Sequence, residues 1–275
     1  MGSLEHSLST AQLEAVNRAF SKQSHNYDTE DVANPILKEM RQQVYRHFAK
    51  YLQPNSSILE LNAGTGIDAL HFVGQGHRVH ATDLSTGMIQ QIQHKISTYQ
   101  LNDQLFCEQI SYAELNNISG HKFDYAFSNF GGLNCIADLK KVTTHLPALL
   151  KDGGYVTFVI MPPVYLWEIL WILKGDVKQA FRRFHKDGVM AHLEGEYFKT
   201  YYHSLSQIKK SFPPAFRFIE TEGLCSLTPP PSHINFPAKN PRLYRTLRRL
   251  DETVRSNFPF NRWADHIIVT FKMIS

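Results

Sequence analysis

The fold is decided by a short apolar run that opens into a glycine turn, Ile58-Leu59-Glu60-Leu61-Asn62-Ala63-Gly64-Thr65-Gly66. An apolar run of this length, bounded by such a turn, is typical of a buried strand. A helical pattern resumes over Asp68–Val73, and Arg78–Asp83 then predicts a second strand. Strand, turn, helix and strand form a βαβ unit, whose crossover we expect to be right-handed.

The same alternation continues outward from this unit. Further strands are predicted at Leu105–Ile110, Phe123–Ser128, Tyr155–Ile160, Phe216–Leu227 and Ala264–Lys272, with helices at Thr86–Tyr99, Ala137–Leu150, Leu205–Phe212 and Pro241–Asn257. Strands that alternate with helices build parallel sheets, and two consecutive final strands with a long connection indicate an antiparallel edge. We therefore predict an α/β fold with a Rossmann-like, seven-stranded, mostly parallel sheet, an antiparallel C-terminal strand pair and an inserted cap.

Two segments depart from the alternation. The N-terminal segment predicts one helix around Leu13, a loose stretch over Ser21–Asn26 and a second helix from Ile36 to Leu52. After Met161, the chain predicts an aromatic helix, a basic helix and an alternating stretch, at Val164–Lys174, Asp176–Phe184 and Tyr197–Tyr202. We divide the chain into a helical lid (1–57), a core (58–161), a substrate cap (162–203) and the C-terminal part of the core sheet (204–275).

Composition excludes several functional classes. The chain is 43% hydrophobic and 20% charged, which excludes disordered and collagen-like proteins, and its net charge of +4 is too small to argue for a nucleic-acid partner. Cys107, Cys135 and Cys225 have neither disulfide nor zinc-site spacing, so a reducing compartment fits best. The chain has no signal-like start and no uninterrupted apolar stretch of about 18 residues, so we expect a soluble, cytoplasmic protein.

The glycine turn is followed by Asp83 at the end of the second predicted strand. Glycines at the carboxyl end of a first parallel strand let the backbone approach a ligand closely. A carboxylate at the neighbouring strand end accepts hydrogen bonds from two vicinal hydroxyls, so a ribose is the natural partner of Asp83. The spacing Gly64-x-Gly66-x-x-Ala69 also satisfies the dinucleotide fingerprint, which leaves a nicotinamide cofactor open at this point.

The acid Glu60 lies in the same turn. A carboxylate there would repel a pyrophosphate and attract a cationic or ammonium-bearing ligand. The turn therefore favours a ligand with positive charge over a diphosphate.

The set Glu60, Asn62, Gly64, Gly66 and Asp83 resembles the first two motifs of class I S-adenosylmethionine-dependent methyltransferases of the small-molecule type. The resemblance extends over the predicted sheet and implies a cofactor with a sulfonium, an amino acid end and an adenosine. It implies that Glu60 faces the amine, that the turn passes under the cofactor and that Asp83 holds the ribose. Asn62 replaces the family's usual glycine, and asparagine tolerates left-handed backbone better than other non-glycine residues.

The resemblance implies further cofactor contacts. They are Ala63 in the turn, Leu84 and Met88 beside the adenine, Ser111 and Tyr112 after the third strand, and Asn129 and Phe130 after the fourth strand. The stretch from Phe20 to Asp28 resembles a lead-in of family members that act in biotin, quinone and sterol pathways, where a tyrosine covers the cofactor. This similarity implies that Tyr27 lies over the methionine portion and that Arg41 pairs with its carboxylate; a solvated polar linker is the competing interpretation.

The loop after the fourth strand borders the methyl group in this family. Asn129 and Asn134 are therefore candidates for the reaction centre. His203, near the expected mouth, is a further candidate because a histidine could act as a base, although no residue is assigned as the base. Fourteen histidines include three more near the expected mouth, namely His185, His192 and His233. No cluster of His, Asp and Glu has the spacing of metal ligands, so we expect no metal ion.

The predicted cap favours a small, largely apolar substrate. Its aromatic helix is too short to span a bilayer, and two basic stretches, Lys174–Lys186 and Lys239–Arg255, make contact with an anionic membrane surface conceivable. We predict methyl transfer from S-adenosylmethionine to an oxygen or carbon of a lipid-like, polyketide or aromatic molecule. The alternatives are an NAD(P)-dependent oxidoreductase and a cofactor-binding pseudoenzyme. No nucleic-acid partner is expected, and the oligomeric state is left open.

Overall fold

The computed structural model describes residues 2–118, 120–170, 172 and 175–274. The strands are β1 (Ser57–Leu61), β2 (Arg78–Asp83), β3 (Leu105–Gln109), β4 (Phe123–Ser128), β5 (Leu150–Ile160), β6 (Val189–Leu193), β7 (Glu196–Thr200), β8 (Phe216–Leu224) and β9 (His266–Met273). The helices are α1 (Gly2–Gln23), α2 (Tyr27–Ala33), α3 (Pro35–Phe48), α4 (Ile67–Gly74), α5 (Thr86–Tyr99), α6 (Lys140–Thr143), α7 (Leu146–Leu149), α8 (Leu166–Ile169), α9 (Val177–Ala180), α10 (Leu205–Ser211), α11 (Phe236–Lys239) and α12 (Pro241–Val254).

The central sheet has seven strands in the order β3-β2-β1-β4-β5-β9-β8. Strands β1 to β5 pair in parallel, whereas β9 runs antiparallel to both β5 and β8. This arrangement confirms the predicted fold class. The strand order reverses between β1 and β4, and a crevice for a ligand lies at such a switch point, beyond the carboxyl ends of the strands.

Helices cover both faces of the sheet. Successive strand residues point to opposite faces, so Ile58 packs under α3 and α4 while Leu59 packs under α7 and α10. The apolar residues of α3 recur every four positions, at Ile36, Met40, Val44 and Phe48, and all of them are buried. Each contributes about 1.5–3 kcal/mol by leaving water. This packing fixes α3 against the strands that end at the crevice.

Several predicted helices are shorter in the structure. The stretch Ala137–Leu150 contains two four-residue helices, α6 and α7, because Pro147 begins a new helical turn and cannot continue the preceding one. Ser21–Gln23 extends α1 instead of starting a loose segment. The basic stretch Asp176–Phe184 forms α9 and a short 3-10 turn.

Within the aromatic stretch Val164–Lys174, the described residues form α8 and then 3-10 backbone at Leu170 and Ile172. Trp171, Leu173 and Lys174 belong to the predicted cap helix but lie outside the described residues. Within the described part of the chain, no helix is both long and apolar enough to cross a bilayer. The remainder of the cap is the antiparallel hairpin β6–β7.

The hairpin of the cap packs against the N-terminal helix α1. The Phe20 and Phe198 rings lie 5.8 Å apart, and the Gln12 amide pairs with the Lys199 backbone, donating to its carbonyl at 3.0 Å and accepting from its N–H at 3.2 Å. The Glu196 carboxylate forms ion pairs with Arg18 Nε at 3.1 Å and with Lys22 Nζ at 2.8 Å. The lid and the hairpin therefore meet directly. The division into lid, core, cap and C-terminal part stays a prediction.

Candidate active site

A cavity opens at the carboxyl ends of β1, β2 and β4, where the strand order reverses. It encloses about 740 Å³ of space, including the open solvent at its mouth. Its walls are Val16, Phe20, Tyr27, Arg41, Asn62, Ala63, Gly64, Ile67, Asp68, Asp83, Leu84, Met88, Tyr112, Asn129, Phe130, Gly131, Gly132 and Cys135. Helix α1 closes one side and the loop after β4 closes the other.

Most of the cofactor contacts predicted from sequence meet at this cavity. The structure places in its walls Tyr27, Arg41, Asn62, Ala63, Gly64, Asp83, Leu84, Met88, Tyr112, Asn129 and Phe130. Three predicted contacts, Glu60, Gly66 and Ser111, are not among the lining residues. Glu60 and Ser111 are buried, with 1% and 7% of their surface exposed, and Gly66 supports the turn from behind.

The turn after β1 uses left-handed backbone at three positions, Asn62, Gly64 and Gly66, with φ of 59°, 56° and 82°. Asn62 thus adopts the conformation that its replacement of glycine requires. A Cβ on Gly64 would have no atom within 4 Å, so open space lies in front of this backbone. A Cβ on Gly66 would lie 3.0 Å from Cγ1 of Ile92, so Gly66 lets α4 begin close to α5.

Asp83 faces the cavity with its carboxylate held by the backbone. One oxygen accepts from the Gly64 N–H at 2.9 Å and the other accepts from the Ser85 N–H at 2.8 Å. Burial raises the pKa of Asp83 to about 6, although these N–H groups oppose the shift. Each carboxylate oxygen has a second lone pair. The group can therefore accept hydrogen bonds from two ligand hydroxyls.

Glu60 lies beneath the turn, on the face of β1 that packs against α3 and α4. Its Oε2 is buried and makes no hydrogen bond to any described residue. Burial raises the pKa of Glu60 well above its ordinary value, and the neighbouring Asp68 raises it further. A buried polar atom without a partner is costly. An ammonium group that reached Oε2 would supply the missing partner.

Arg41 is engaged by two carboxylates of the chain itself. It donates to Asp31 at 2.6 Å and to Asp68, and its Nε is buried without a described partner. Burial lowers the pKa of Arg41, but Asp68 and Asp31 outweigh that effect and raise it. The predicted role of Arg41, pairing with a ligand carboxylate, therefore requires either the remaining Nε–H or a rearrangement of these pairs.

Asp68, at the start of α4, joins the lid to the loop after β4. It accepts from Tyr45 Oη at 2.6 Å and from Asn129 Nδ2 at 2.8 Å, besides Arg41. Burial raises the pKa of Asp68, but Arg41 and these hydrogen bonds lower it overall. Asp68 was not predicted as a site residue from the sequence. Its position in the first turn of the helix after the glycines could have indicated that it lies near the ligand.

Phe130 forms the cavity wall next to Asn129. Its backbone is left-handed, with φ of 44°, and its N–H donates to Asn129 Oδ1 at 2.8 Å. The Arg41 guanidinium lies over its ring, 4.7 Å from the centroid. Such backbone in a bulky residue is strained and persists only where its surroundings impose it.

Two residues predicted for the reaction centre lie elsewhere. Asn134 donates to the Met161 and Tyr201 carbonyls at 3.0 and 2.6 Å and accepts from the Met161 N–H at 2.9 Å. His203 pairs through Nε2 with the Ile136 carbonyl at 2.9 Å, and burial lowers its pKa. Neither lines the cavity. Their hydrogen bonds go to backbone groups across the loop after β4 and the cap. Both residues therefore connect this loop to the cap.

Seven wall residues were not foreseen as contacts, namely Val16, Phe20, Ile67, Asp68, Gly131, Gly132 and Cys135. Val16 and Phe20 come from α1, whose apolar spacing predicted a helix but not what it covers. Cys135 lies beside them, and burial raises the pKa of its thiol to about 12. The thiol is therefore protonated at neutral pH and serves as an apolar wall.

The family model described as a methyltransferase domain matches residues 58–154, which span β1 to the first half of β5. These residues form a class I S-adenosylmethionine-dependent methyltransferase domain. The match begins at the strand that carries Glu60 and includes the turn and Asp83. The match ends before the cap, so it includes neither the wall residues Tyr27 and Arg41 nor the cap nor the last two strands.

Solved methyltransferases share the fold. An S-adenosylmethionine-dependent methyltransferase from Clostridium acetobutylicum is 16% identical, with a TM-score of 0.57, over 92% of this chain and 98% of its own. The 1,6-didemethyltoxoflavin-N1-methyltransferase of Burkholderia thailandensis, solved with its substrate and S-adenosylhomocysteine, is 13% identical, with a TM-score of 0.56, over 95% and 88%. No curated protein matches the sequence. At these identities the structural likeness concerns the fold alone.

Proposed function

We propose that the chain transfers a methyl group from S-adenosylmethionine to an oxygen or carbon of a small, largely apolar molecule. One observation carries this proposal. Beneath the turn, one oxygen of Glu60 is buried without a described partner, and the Asp83 carboxylate at the neighbouring strand end accepts from the Gly64 N–H, in front of which the space is open. This donor set fits the amine and ribose ends of S-adenosylmethionine.

S-adenosylmethionine supplies a methyl carbon that is already activated, so the protein mainly positions the reactants and excludes water. In this proposal, Asp83 accepts from the ribose hydroxyls and Glu60 receives the amine, directly or through water. Leu84, Met88 and Cys135 give the adenine an apolar wall. Tyr27, Asn129 and Phe130 enclose the methionine end.

The electrostatics of the cavity favour this cofactor over a nicotinamide dinucleotide. Glu60, Asp68 and Asp83 surround the turn, whereas the cation Arg41 is already neutralised by Asp31 and Asp68. A diphosphate at the turn would meet carboxylates with no free cation among the described wall residues. A sulfonium with an ammonium group would be attracted instead.

The apolar character of the acceptor is inferred from the cap. Tyr165 and Trp167 in the cap are at least partly buried and donate to the Thr228 and Leu227 carbonyls in the loop after β8. The cap also exposes Leu170, Val177, Phe181 and Phe184 near Lys178. We include a weak contact of this surface with anionic membranes in the proposal, and flotation with vesicles that contain phosphatidylserine tests it separately.

Calorimetric titration tests the cofactor assignment. We expect S-adenosylhomocysteine to bind the full chain and NADH not to bind; the reverse result would favour the oxidoreductase. Incubation with methyl-labelled S-adenosylmethionine and fractionated cell extract then tests the reaction. Label in an organic-soluble fraction supports the proposed acceptor class. Binding without any transfer of label would make the chain a cofactor-binding pseudoenzyme.

A further inference from the structure

A histidine–aspartate pair, His266 and Asp265, lies at the start of β9 next to the Phe130–Gly131 wall of the cavity. β9 runs antiparallel to β5, so its first residues lie at the edge of the sheet where β4 and β5 end; Ile267 pairs with Ile160 there. Asp265 and His266 occupy this strand start and are buried, with 6% and 8% of their surface exposed. Neither has a role in the proposed binding of the cofactor.

His266 directs one nitrogen to Asp265 and the other towards the cavity wall. Nδ1 lies 3.0 Å from Asp265 Oδ2, and none of the described residues provides a partner for Nε2. Nε2 would lie 3.3 Å from a Cβ on Gly131, whose backbone lines the cavity. The imidazole also stands edge-on to the Phe130 ring, with centroids 5.9 Å apart. Nε2 thus lies next to the Gly131 backbone, and His266 itself is not among the residues that line the cavity.

Asp265 is held in place by an arginine of the cap. Arg183 contacts Asp265 Oδ1 at 3.0 Å, donates to the Asp265 carbonyl at 3.0 Å and is itself held by Glu168 at 2.8 Å. Burial acts to raise the pKa of Asp265, but His266 and Arg183 outweigh it and hold the pKa at about 2. A carboxylate fixed in this way favours the tautomer with hydrogen on Nδ1, which leaves a lone pair on Nε2.

We propose that His266 accepts the proton of the methyl acceptor and that Asp265 positions its ring. This inference rests on the proposed methyl transfer and narrows the acceptor to a molecule with a weakly acidic O–H group. As the acceptor oxygen bonds to the methyl carbon, the carbon–sulfur bond breaks and its electron pair stays on sulfur. The acceptor proton moves to Nε2 and then to solvent.

Alternatively, Asp265 and His266 could have a purely structural role, since Glu168, Arg183 and Asp265 also tie the cap to the sheet. The charged groups facing His266 distinguish the two accounts. Asp265 lies on one side, with Arg183 behind it, and Arg41 lies beyond the Phe130 ring. A proton acceptor needs a bare Nε2 at neutral pH, whereas an imidazolium locked in an ion pair does not have one.

Nitrogen NMR of full-length protein with isotope-labelled histidine shows which ring nitrogen of His266 carries hydrogen. The measurement needs no methyl acceptor. The His266 signals are assigned by their loss in His266→Gln. We expect hydrogen on Nδ1 only at neutral pH, and a shift when S-adenosylhomocysteine fills the cavity. Asp265→Asn should move hydrogen to Nε2. A proton on Nε2 of the wild-type protein throughout the neutral range would overturn the proposal.

Labelled methyl transfer to cell extract provides the second test. His266→Asn and His266→Gln should lower the initial rate by about 10²–10⁴-fold, keep the affinity for S-adenosylhomocysteine and regain part of the rate with added imidazole. The matched control is His77→Asn, a buried histidine at the opposite edge of the sheet, which should keep the wild-type rate.

Unchanged rates in folded His266 variants would overturn the proposal while leaving methyl transfer intact. If the wild-type protein binds S-adenosylhomocysteine but transfers no label, the proposed function fails instead. The assignment of the proton-accepting role then falls with it, whatever the NMR result.

Discussion

Two acid-rich clusters of this molecule differ in how their charges are satisfied. At the cavity, Glu60 has an oxygen without a described partner, and burial raises the pKa of both Glu60 and Asp83. At the outer edge of the sheet, His47, Glu220 and Glu222 lie close enough to hold a metal ion, an arrangement not foreseen from sequence. There, however, Lys50 contacts Glu222 at 2.5 Å and Arg255 contacts it at 3.2 Å.

The comparison separates a binding site from a structural network. The pKa of Glu222 is lowered to about 2, because His47, Lys50 and Arg255 outweigh its burial. Its cations already occupy the position that a metal ion would take, so the cluster ties α3 to β8. At the cavity, by contrast, Glu60 keeps an oxygen without a described partner, and burial outweighs the hydrogen bonds that Asp83 accepts. Unsatisfied groups at a cavity, more than the number of acids, indicate where a ligand binds.

Asp83→Ala should have the largest effect. Two charge-assisted hydrogen bonds to ribose hydroxyls contribute about 1.5–3 kcal/mol each, so calorimetry should show an affinity for S-adenosylhomocysteine reduced by about 10²–10⁴-fold. Asp124→Ala is the control, since Asp124 also accepts a backbone N–H, from Ser57 at 2.8 Å, but at the opposite edge of the sheet. Equal affinity in the Asp83 variant and the wild type would contradict the site.

Glu222→Ala should instead affect the stability of the fold. It leaves His47 buried beside Lys50 and Arg255 without their shared carboxylate. Because Lys50 is 40% exposed, we expect a loss below the full value for a buried pair, about 2–3 kcal/mol in the free energy of unfolding. Chemical denaturation measures this loss, and calorimetry should show unchanged affinity for S-adenosylhomocysteine. A loss of affinity for S-adenosylhomocysteine without a loss of stability would instead show that Glu222 contributes to the binding site.

Glu60→Gln should show the opposite pattern to Glu222→Ala, with weaker binding but no loss of stability. Its effect should be smaller than that of Asp83→Ala. Losing one charged contact to the ligand amine should weaken binding of S-adenosylhomocysteine by about tenfold. The melting temperature should stay the same or rise, because the folded state no longer buries an unpartnered carboxyl. Glu252→Gln, on the exposed face of α12, serves as the control. A strong destabilisation with normal binding would make Glu60 a structural residue.

The two clusters should also differ in their response to pH. The affinity for S-adenosylhomocysteine should change by a few-fold with the ionisation of Asp83, whereas Glu222 should affect only the stability of the fold. Ribose capture needs ionised Asp83, so affinity should fall as pH drops through about 6. Because its folded pKa is raised from 3.8, Asp83 itself favours the folded state increasingly as pH falls between these values. Glu222 acts in the opposite sense, and its stabilisation is lost as pH falls from 4.5 towards 2. Asp83→Asn should remove the binding step near pH 6.

Much of the fold could be predicted because its signals are local. The run that forms β1, the glycines after it and Asp83 at the end of β2 are each readable within a few residues. The cap was harder to predict, since a dense apolar stretch such as Val164–Lys174 has no periodicity that limits the helix. The spacing of Val16 and Phe20 predicts a helix with a polar and an apolar side, but no local pattern says that this helix covers a cavity.

The sequence by itself determined the order of strands and helices, the turn chemistry and the two acids, because these depend on backbone preference and residue type. Only the tertiary structure decided which polar groups remain unsatisfied. It paired Arg41 with Asp68, turned Asn134 and His203 into supports and brought His266 behind Phe130. Such pairings join residues far apart in the chain, and their energies depend on burial and distance, which no local pattern encodes.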